Sequence, residues 1–173
     1  MGPTDLALRR KKTAADKVVQ LAAQAVETIS GEIPECPPLA ELTPSRVNGW
    51  FNELGWQPFE YQQQVWQAFQ KGHSGLLHAT TGAGKTLAVW LGALLRLAQL
   101  PRPRGAATQI MWITPMRALA ADSTKALQKS LAALVGDCNV ALQTGDTDSA
   151  ARAAILRKPP FALVTTPESL TLM

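Results

Sequence analysis

The residues with the clearest chemical potential form one loop, Ala79-Thr80-Thr81-Gly82-Ala83-Gly84-Lys85-Thr86. Gly82 and Gly84 allow the backbone to curl so that successive N–H groups point into one concavity that can hold phosphate oxygens. We expect Lys85 to reach the β- and γ-phosphates of a nucleotide and Thr86 to coordinate Mg²⁺, so both are candidate catalytic residues. The predicted nucleotide-binding residues of the loop are Thr81, Gly82, Ala83, Gly84, Lys85 and Thr86.

The surroundings of this loop match what phosphate binding requires. Leu76-Leu77-His78-Ala79 is predicted to form a strand before it, and Lys85 to Gln99 a helix after it. The N-terminal end of that helix adds its positive dipole to the N–H groups of the loop. The common form of this motif has a glycine where the chain has Ala79. A flexible glycine turn without a ligand is therefore the alternative interpretation.

Gln62 lies upstream of the loop, in a helix predicted from about Pro58 to Lys71 and ended by Gly72. A glutamine carboxamide can accept a hydrogen bond from adenine N6 and donate one to adenine N7. Gln62 is therefore a candidate for selecting ATP over GTP. The alternative is an ordinary solvated glutamine on a helix surface.

Two segments share one construction, Thr114-Pro115-Met116-Arg117 and Thr166-Pro167-Glu168. Each follows an apolar strand and supplies Thr as N-cap and Pro in the first turn of a helix. Free N–H groups at a helix start can hold a nucleic-acid phosphate whatever the base sequence, and Arg117 adds charge. Thr144-Gly145-Asp146-Thr147 ends the strand between them. The predicted nucleic-acid-binding residues are Thr114, Pro115, Arg117, Gly145, Thr166, Pro167 and Glu168.

Such a row of phosphate-sized sites would suit a nucleic-acid strand, whereas generic helix starts with no ligand are the alternative. The charge distribution supports the first interpretation. The net charge is +4, and the stretch from Lys71 to Lys129 holds eight basic residues and one acid, Asp122. A bias of this kind favours phosphate-bearing partners, although a solvated basic surface would show it as well.

The elements that must position these residues alternate between strands and helices. Further strands are predicted at Gln109–Ile113, Asn139–Gln143 and Phe161–Thr165. Further helices are predicted from about Pro115 to Leu134, from about Ser149 to Leu156 and from Pro167. Repeated strand–helix units indicate an α/β fold with a parallel sheet and helices on both faces, in which ligands bind along the carboxyl edge of the sheet.

The N-terminal part of the chain has a different pattern. Thr13 to Ser30 is predicted to be an amphipathic helix, and the proline-rich segment from Ile33 to Pro38 a linker. A further helix starts at Thr43 as N-cap with Pro44 in the first position. We therefore expect a helical segment with a linker over residues 1–44 and one α/β domain over residues 45–173.

Composition bounds the class of protein. Hydrophobic residues make up 46% of the 173 residues, so an ordinary core is expected. The apolar stretch from Leu87 to Leu100 is too short for a membrane span, and no apolar run follows the basic N-terminus as in a secretory signal. Cys36 and Cys138 have no metal-ligand spacing and are expected to be free thiols. These features favour a cytoplasmic protein without a membrane partner.

Taken in order, these motifs resemble the first motor domain of superfamily-2 DEAD/DEAH-box helicases. The loop from Ala79 to Thr86 is similar to motif I of that group, where alanine in the first position is usual, and Gln62 is similar to its adenine-reading glutamine. Pro115–Leu119 resembles motif Ia, and Thr166–Leu170 motif Ib. Gly55-Trp56-Gln57-Pro58-Phe59, Trp66 and Thr144–Thr147 are most similar to the large helicase-related (Lhr) family, within it to bacterial DEXH-box helicases associated with a DNA ligase.

The resemblance implies a RecA-like P-loop domain that uses ATP and Mg²⁺. It implies 3′-to-5′ movement on single-stranded DNA, with RNA–DNA hybrids as another substrate, a role in bacterial DNA repair, and repair partners such as a DNA ligase. It also implies an Asp-Glu-x-His motif, which this sequence lacks. We therefore expect an incomplete first motor domain that is inactive by itself. A non-catalytic ATP- or DNA-binding module and a different P-loop NTPase are the alternatives.

Overall fold

A computed structural model describes residues 39–101 and 107–171 of the chain, which belong to one compact unit, Glu35–Met173. The predicted helix at Thr13–Ser30 and the linker at Ile33–Pro38 lie outside the described residues. The described helices are α1 (Pro44–Glu53), α2 (Glu60–Gln70), α3 (Lys85–Ala98), α4 (Arg117–Leu134), α5 (Ser149–Arg157) and α6 (Pro167–Leu170). The strands are β1 (Ile110–Ile113), β2 (Val140–Gln143) and β3 (Ala162–Thr165), and a short 3-10 turn covers Leu39–Glu41.

The three strands form a parallel sheet in the order β1-β3-β2. Ala162 is in register with both Ile110 and Val140, and Thr165 with both Ile113 and Gln143. The whole of β3 is buried, as expected for a central parallel strand covered on both faces. Because all strands are parallel, their carboxyl ends meet at one edge, which confirms the α/β class predicted from the sequence.

β1 differs from β3 because only one of its faces packs into the core. Trp112 meets Trp90 of α3 in an edge-to-face contact, with ring centroids 6.3 Å apart. On the other face, Met111 and Ile113 are each 49% exposed, and the described part of the sheet gives β1 no neighbour except β3. The sheet therefore has an apolar edge that the described residues leave partly uncovered.

The strand predicted at Leu76–Ala79 is wrong. Residues 73–80 have no regular secondary structure, and Leu76 is 96% exposed. A strand is stabilised by hydrogen bonds to a neighbour. Within the described part of the chain no strand pairs with this segment. The composition of Leu76-Leu77-His78-Ala79 allows a strand, but the described sheet contains no neighbouring strand that forms hydrogen bonds with these residues.

α2 and α3 pack closely and place the start of α3 beside the start of α2. Gly92 permits this approach, since a Cβ at that position would lie 2.7 Å from Phe69 Cδ2. Arg96 on α3 also donates from Nη1 to the Gln70 carbonyl at 2.9 Å, at the end of α2. This packing brings Gln62 near the loop that precedes α3.

One apolar core joins the helices to the sheet. Trp90, Leu91 and Leu94 of α3 and Leu127 of α4 are fully buried in it. Leu39 and Leu42, which precede α1, belong to the same cluster. Cys138 is also buried, at 5% exposure, and it is disulfide-bonded, so the expectation of a free thiol there is wrong.

α1 confirms its sequence signals, since Thr43 is the N-cap, its side chain accepts from the Arg46 N–H at 3.2 Å, and Pro44 is the first helical residue. Among the described helices, none is long and apolar enough to cross a membrane.

Candidate nucleotide and nucleic-acid sites

The loop from Ala79 to Thr86, called the phosphate loop below, is held in shape by two glycines and a lysine. Gly82 and Gly84 have φ of 82° and 79°, a left-handed conformation that side-chain-bearing residues rarely adopt. Gly84 is the N-cap of α3. The Lys85 ammonium turns back over the loop and donates to the carbonyls of Ala79 and Thr80 at 2.7 and 2.6 Å.

These residues fit a nucleotide phosphate chain. The start of α3 presents backbone N–H groups that have no intrahelical partner, and such groups favour an anion. The Lys85 ammonium lies over the same loop, and Thr86 is exposed in the first turn of α3. Lys85 would bind phosphate oxygens, Thr86 would hold the Mg²⁺ that accompanies ATP, and the metal would neutralise charge on the phosphates.

Gln62 is close to the phosphate loop, but both ends of its amide are engaged. The side chain is buried, at 2% exposure. Oε1 accepts from the Phe59 N–H at 2.9 Å, and Nε2 donates to the Gly84 carbonyl at 3.2 Å. Gln62 therefore connects the start of α2 to the loop. The expectation that it reads adenine remains a prediction, and the remaining donor and acceptor capacity of the amide is what such a contact would use.

Tyr61 is a loop-holding residue that the sequence analysis missed. Its hydroxyl donates to the carbonyl of Ala83, next to the Gln62 contact with Gly84. Its ring also stacks on Phe59, with centroids 5.9 Å apart. A hydroxyl-bearing aromatic residue directly before Gln62 is the only signal of this role in the sequence.

At the end of β1, the structure corrects the predicted helix start. Thr114 was expected to cap a helix with Pro115 in the first turn, but α4 begins at Arg117 with Met116 as its N-cap. Thr114 still continues the sheet, because its N–H donates to the Thr165 carbonyl at 3.0 Å. Its hydroxyl donates to the Met116 carbonyl at 3.3 Å, and the residue is buried. Thr114 therefore stabilises the turn and does not cap the helix.

At the end of β3, the predicted cap is confirmed. Thr166 is the N-cap of α6 and Pro167 its first residue, although the Thr166 hydroxyl pairs with Ser169 Oγ at 3.1 Å. The Glu168 backbone N–H lowers the pKa of the Glu168 carboxyl, with smaller contributions from Thr166 and from the charge of Arg117.

The strongest contact at the strand ends joins Arg117 to Asp146, which the sequence analysis did not name as a site residue. Nη1 of Arg117 lies 2.6 and 2.7 Å from the two carboxylate oxygens, and the side chains are 62% and 70% exposed. An ion pair this exposed contributes at most about 1 kcal/mol to stability. Arg117 also passes close over Gly145, where a Cβ would lie 3.1 Å from Nη2.

Arg152 completes this group, since its Nη2 donates to the Gly145 carbonyl at 3.2 Å. We call the residues Arg117, Gly145, Asp146, Arg152 and Glu168 the strand-end cluster. The structure thus brings Arg117 and Gly145 together and places Glu168 within electrostatic reach of Arg117. Asp146 and Arg152 could have been proposed only from their proximity in sequence to Gly145.

An apolar groove of about 340 Å³ lies beside the phosphate loop. Trp50, Trp56 and Leu119 line it, and Thr86 is the residue of the phosphate loop at its border. The other residues of the phosphate loop do not line the groove.

Residues 59–173 match the family described as DEAD/DEAH box helicase. An Lhr helicase and probable uracil glycosylase of Mycolicibacterium smegmatis is 36% identical over 134 residues, which cover 72% of this chain and 9% of that protein. The Lhr helicase/uracil glycosylase of Escherichia coli is 34% identical over 151 residues, covering 78% of this chain and 10% of that protein.

Among solved structures, the chain resembles Mycobacterium smegmatis helicase Lhr bound to single-stranded DNA and AMP-PNP, with a TM-score of 0.66 and 32% identity. The match covers 78% of this chain and 18% of that one. The chain therefore spans about a tenth of the length of these two curated relatives.

Proposed function

This chain belongs to the DEAD/DEAH box helicase family, and we propose that it supplies the ATP-binding and nucleic-acid-binding surfaces of an ATP-dependent DNA helicase. The observation that carries the proposal is the Lys85 ammonium held 2.7 and 2.6 Å from carbonyls of its own loop, at the start of α3. An ammonium there lies beside the backbone N–H groups at the start of α3, and the two kinds of donor together can bind the phosphates of ATP. Family membership excludes the alternative of an unrelated P-loop NTPase.

The nucleic-acid part of the proposal assigns the carboxyl edge of the sheet to a DNA backbone. Arg117 would contact a phosphate, with Gly145 and the turn at Thr114–Pro115 beneath it and Thr166, Pro167 and Glu168 on the neighbouring strand end. Single-stranded DNA is supported as the ligand because a similar helicase has been solved with it. RNA–DNA hybrids are a second ligand to be compared in the same binding assay.

The finer parts of the proposal are 3′-to-5′ movement, a role in bacterial DNA repair, a cytoplasmic location and a DNA ligase as partner. They rest on the resemblance to Lhr-type helicases. The division into a segment over residues 1–44 and a motor domain over residues 45–173 is likewise a proposal. Burial of Leu39 and Leu42 in the core supports a boundary some residues before 45.

A second candidate function is that of a module that binds ATP and DNA without turnover. The 173 residues contain no Asp-Glu-x-His, the motif to which the resemblance assigns Mg²⁺ binding and orientation of the attacking water. We expect the purified chain to hydrolyse ATP no faster than a Lys85→Ala variant. DNA-stimulated hydrolysis that Lys85→Ala abolishes would show that the chain contains the full catalytic set.

Binding is tested separately from turnover, with a fluorescent ATP analogue and equilibrium titration. Lys85→Ala should weaken nucleotide binding by roughly 10- to 100-fold, since a hydrogen bond to a charged group is worth about 1.5–3 kcal/mol. Lys125→Ala, which removes an equal charge from the exposed side of α4, is the matched control and should leave the affinity unchanged. Equal affinities for the two variants would remove Lys85 from the nucleotide site.

The adenine assignment needs its own measurement, because Gln62 also holds the loop. Gln62→Ala should weaken both ATP and GTP, since Phe59 and Gly84 lose their partner. If Gln62 reads adenine, ATP should lose more affinity than GTP. An unchanged ratio of the two affinities would mean that Gln62 acts through the loop alone.

A further inference from the structure

The ion pair between Arg117 and Asp146 places a carboxylate on the residue to which the proposed function assigns a DNA phosphate. On charge alone, Asp146 should weaken DNA binding, because an acid next to a cation reduces the attraction of that cation for a polyanion. Asp146 forms an ion pair with Arg117, and the two arginines of the strand-end cluster are balanced by its two acids, so the cluster has no excess of positive charge. Its affinity for DNA must then depend on how Arg117 is presented.

The contact leaves one edge of the Arg117 guanidinium open. Both carboxylate oxygens approach the same nitrogen, Nη1. Among the residues that the structure describes, none forms a hydrogen bond with Nε or Nη2 of Arg117. The N–H groups of Nε and Nη2 point in parallel and match two oxygens of one phosphate.

Gly145 lies beside this edge. Nη2 of Arg117 passes so close to Gly145 that a Cβ there would lie only 3.1 Å away. A side chain at that position would require the flexible, exposed guanidinium to shift by a few tenths of an ångström. The absence of a side chain at Gly145 therefore lets Arg117 lie against the strand end.

The loop that carries Asp146 is itself fixed by hydrogen bonds. The Thr144 N–H donates to Thr147 Oγ1 at 2.9 Å, and the Thr147 N–H donates to the Thr144 carbonyl at 3.1 Å. Arg152 from α5 donates to the Gly145 carbonyl at 3.2 Å. Asp146 thus extends from an ordered turn, whereas Arg117 is a long, exposed side chain that would otherwise sample many rotamers.

We propose that Asp146 is a positioning residue for DNA binding, whose carboxylate holds Nη1 of Arg117 so that the Nε–Nη2 edge is presented to a backbone phosphate. This inference rests on the proposed function, because it requires Arg117 to contact DNA. The ion pair adds little to stability, so its role lies in ordering Arg117 before the phosphate arrives.

The test exploits a difference in sign. Asp146→Ala makes the chain more positive by one charge, so electrostatics alone predicts tighter binding of single-stranded DNA. Positioning predicts weaker binding, by roughly 2- to 5-fold, the factor that an ion pair worth up to about 1 kcal/mol can supply, because part of the binding free energy must then order Arg117. The measurement is fluorescence anisotropy of the 173-residue chain with labelled oligo(dT) at several salt concentrations.

Two variants and a control make the result specific. Asp146→Glu, which keeps the carboxylate, should recover most of the affinity. Asp146→Ala made in an Arg117→Ala chain should cause no further loss, because the residue it positions is gone. Asp137→Ala removes an equal charge from the turn before β2, at the opposite end of that strand, and should not weaken binding.

The outcomes separate the two hypotheses. If Arg117→Ala binds oligo(dT) as the unmodified chain does, the proposed contact of Arg117 with DNA is wrong, and the inference fails with it. If Arg117→Ala weakens binding but Asp146→Ala tightens it or leaves it unchanged, the positioning role alone is overturned. If Asp146→Ala lowers the melting temperature by several degrees, Asp146→Ser decides, since it keeps a polar side chain on the loop that ends one atom short of the carboxylate oxygens. Weaker binding by Asp146→Ser at an unchanged melting temperature supports positioning, and unchanged or tighter binding overturns it.

Discussion

The phosphate loop and the strand-end cluster have similar tasks but different constructions. The phosphate loop is contiguous, so Lys85 reaches carbonyls five or six positions away, those of Thr80 and Ala79, while Tyr61 and Gln62 contact the loop from α2. The strand-end cluster draws Arg117, Asp146 and Glu168 from three separate strand ends. The first keeps its shape although the segment before it is unpaired and exposed. The second exists only because parallel pairing aligns those ends.

The two sites also differ in charge. In the described structure Lys85 donates to neutral carbonyls and is not within ion-pair distance of a carboxylate. Arg117, in contrast, is paired with Asp146. The phosphate loop should therefore hold an anion through a cation and backbone N–H groups, whereas the strand-end cluster depends on the orientation of one guanidinium. We therefore expect changes in backbone conformation to weaken binding at the phosphate loop. Changes in the ordering of the Arg117 side chain should weaken binding at the strand-end cluster.

The largest expected effect concerns the contact that joins the two regions. Trp90 of α3 is fully buried against Trp112 of β1, and its Nε1 has no hydrogen-bond partner among the described groups, so truncation removes packing alone. Trp90→Ala should lower the free energy of unfolding by about 3–5 kcal/mol. Urea denaturation measures this. The half-exposed Trp56 is the control, and Trp56→Ala should cost roughly 1 kcal/mol. Equal losses of unfolding free energy in Trp90→Ala and Trp56→Ala would show that the Trp90–Trp112 contact contributes no more to stability than a half-exposed tryptophan does.

The next effect tests whether backbone conformation governs the phosphate loop. Gly84→Ala forces a left-handed residue, at about 1–2 kcal/mol, and places a Cβ 2.8 Å from Gln62 Nε2. Gly82→Ala introduces a similar backbone strain, but its Cβ meets no atom within 4 Å. Gly84→Ala should therefore weaken ATP binding by roughly ten-fold or more and exceed the loss in Gly82→Ala. A calorimetric titration that ranks them in the reverse order would argue against the contact with Gln62.

A smaller effect is expected at the strand-end cluster. Arg117→Ala should weaken single-stranded DNA binding for all sequences alike and reduce the log–log salt slope by about 0.7, the value for one lost phosphate contact. Because Arg117 lies outside the phosphate loop, ATP affinity should not change. Anisotropy titrations at several salt concentrations measure the slope. An unaltered salt slope in a folded Arg117→Ala variant would show that Arg117 contacts no DNA phosphate.

The smallest effect is the pH dependence contributed by Glu168. Its carboxyl pKa is lowered from the usual 4.5, first by its own backbone N–H, so the ionised form stabilises the folded state. That contribution is complete above pH 4.5 and is lost as pH falls through the lowered pKa. Glu168→Gln should thus melt slightly below the unmodified chain at pH 7, with the difference closing in acid. A difference in melting temperature that does not narrow as the pH falls would point to another cause.

Most elements could be predicted from the sequence because their signals are local. The apolar spacing of α3 and the Thr43-Pro44 start of α1 identify helices whatever lies around them. The short apolar runs of β1, β2 and β3 likewise mark strands to within one residue. The shape of the phosphate loop belongs to this group, since positive φ at Gly82 and Gly84 is a property that glycine supplies.

Only the tertiary structure decided how distant segments pair. Sequence could not order the strands β1-β3-β2, nor show that Leu76–Ala79 would find no neighbour in the described sheet. It assigned Thr114 to a helix cap, because Thr-Pro is a local capping pattern, whereas the hydrogen bond to Thr165 keeps that residue with the sheet. The pairing of Arg117 with Asp146 was equally hidden, since 29 positions separate the two residues. Strand pairing and ion pairing are long-range interactions, and the energy that selects one partner among many appears only once the chain has folded.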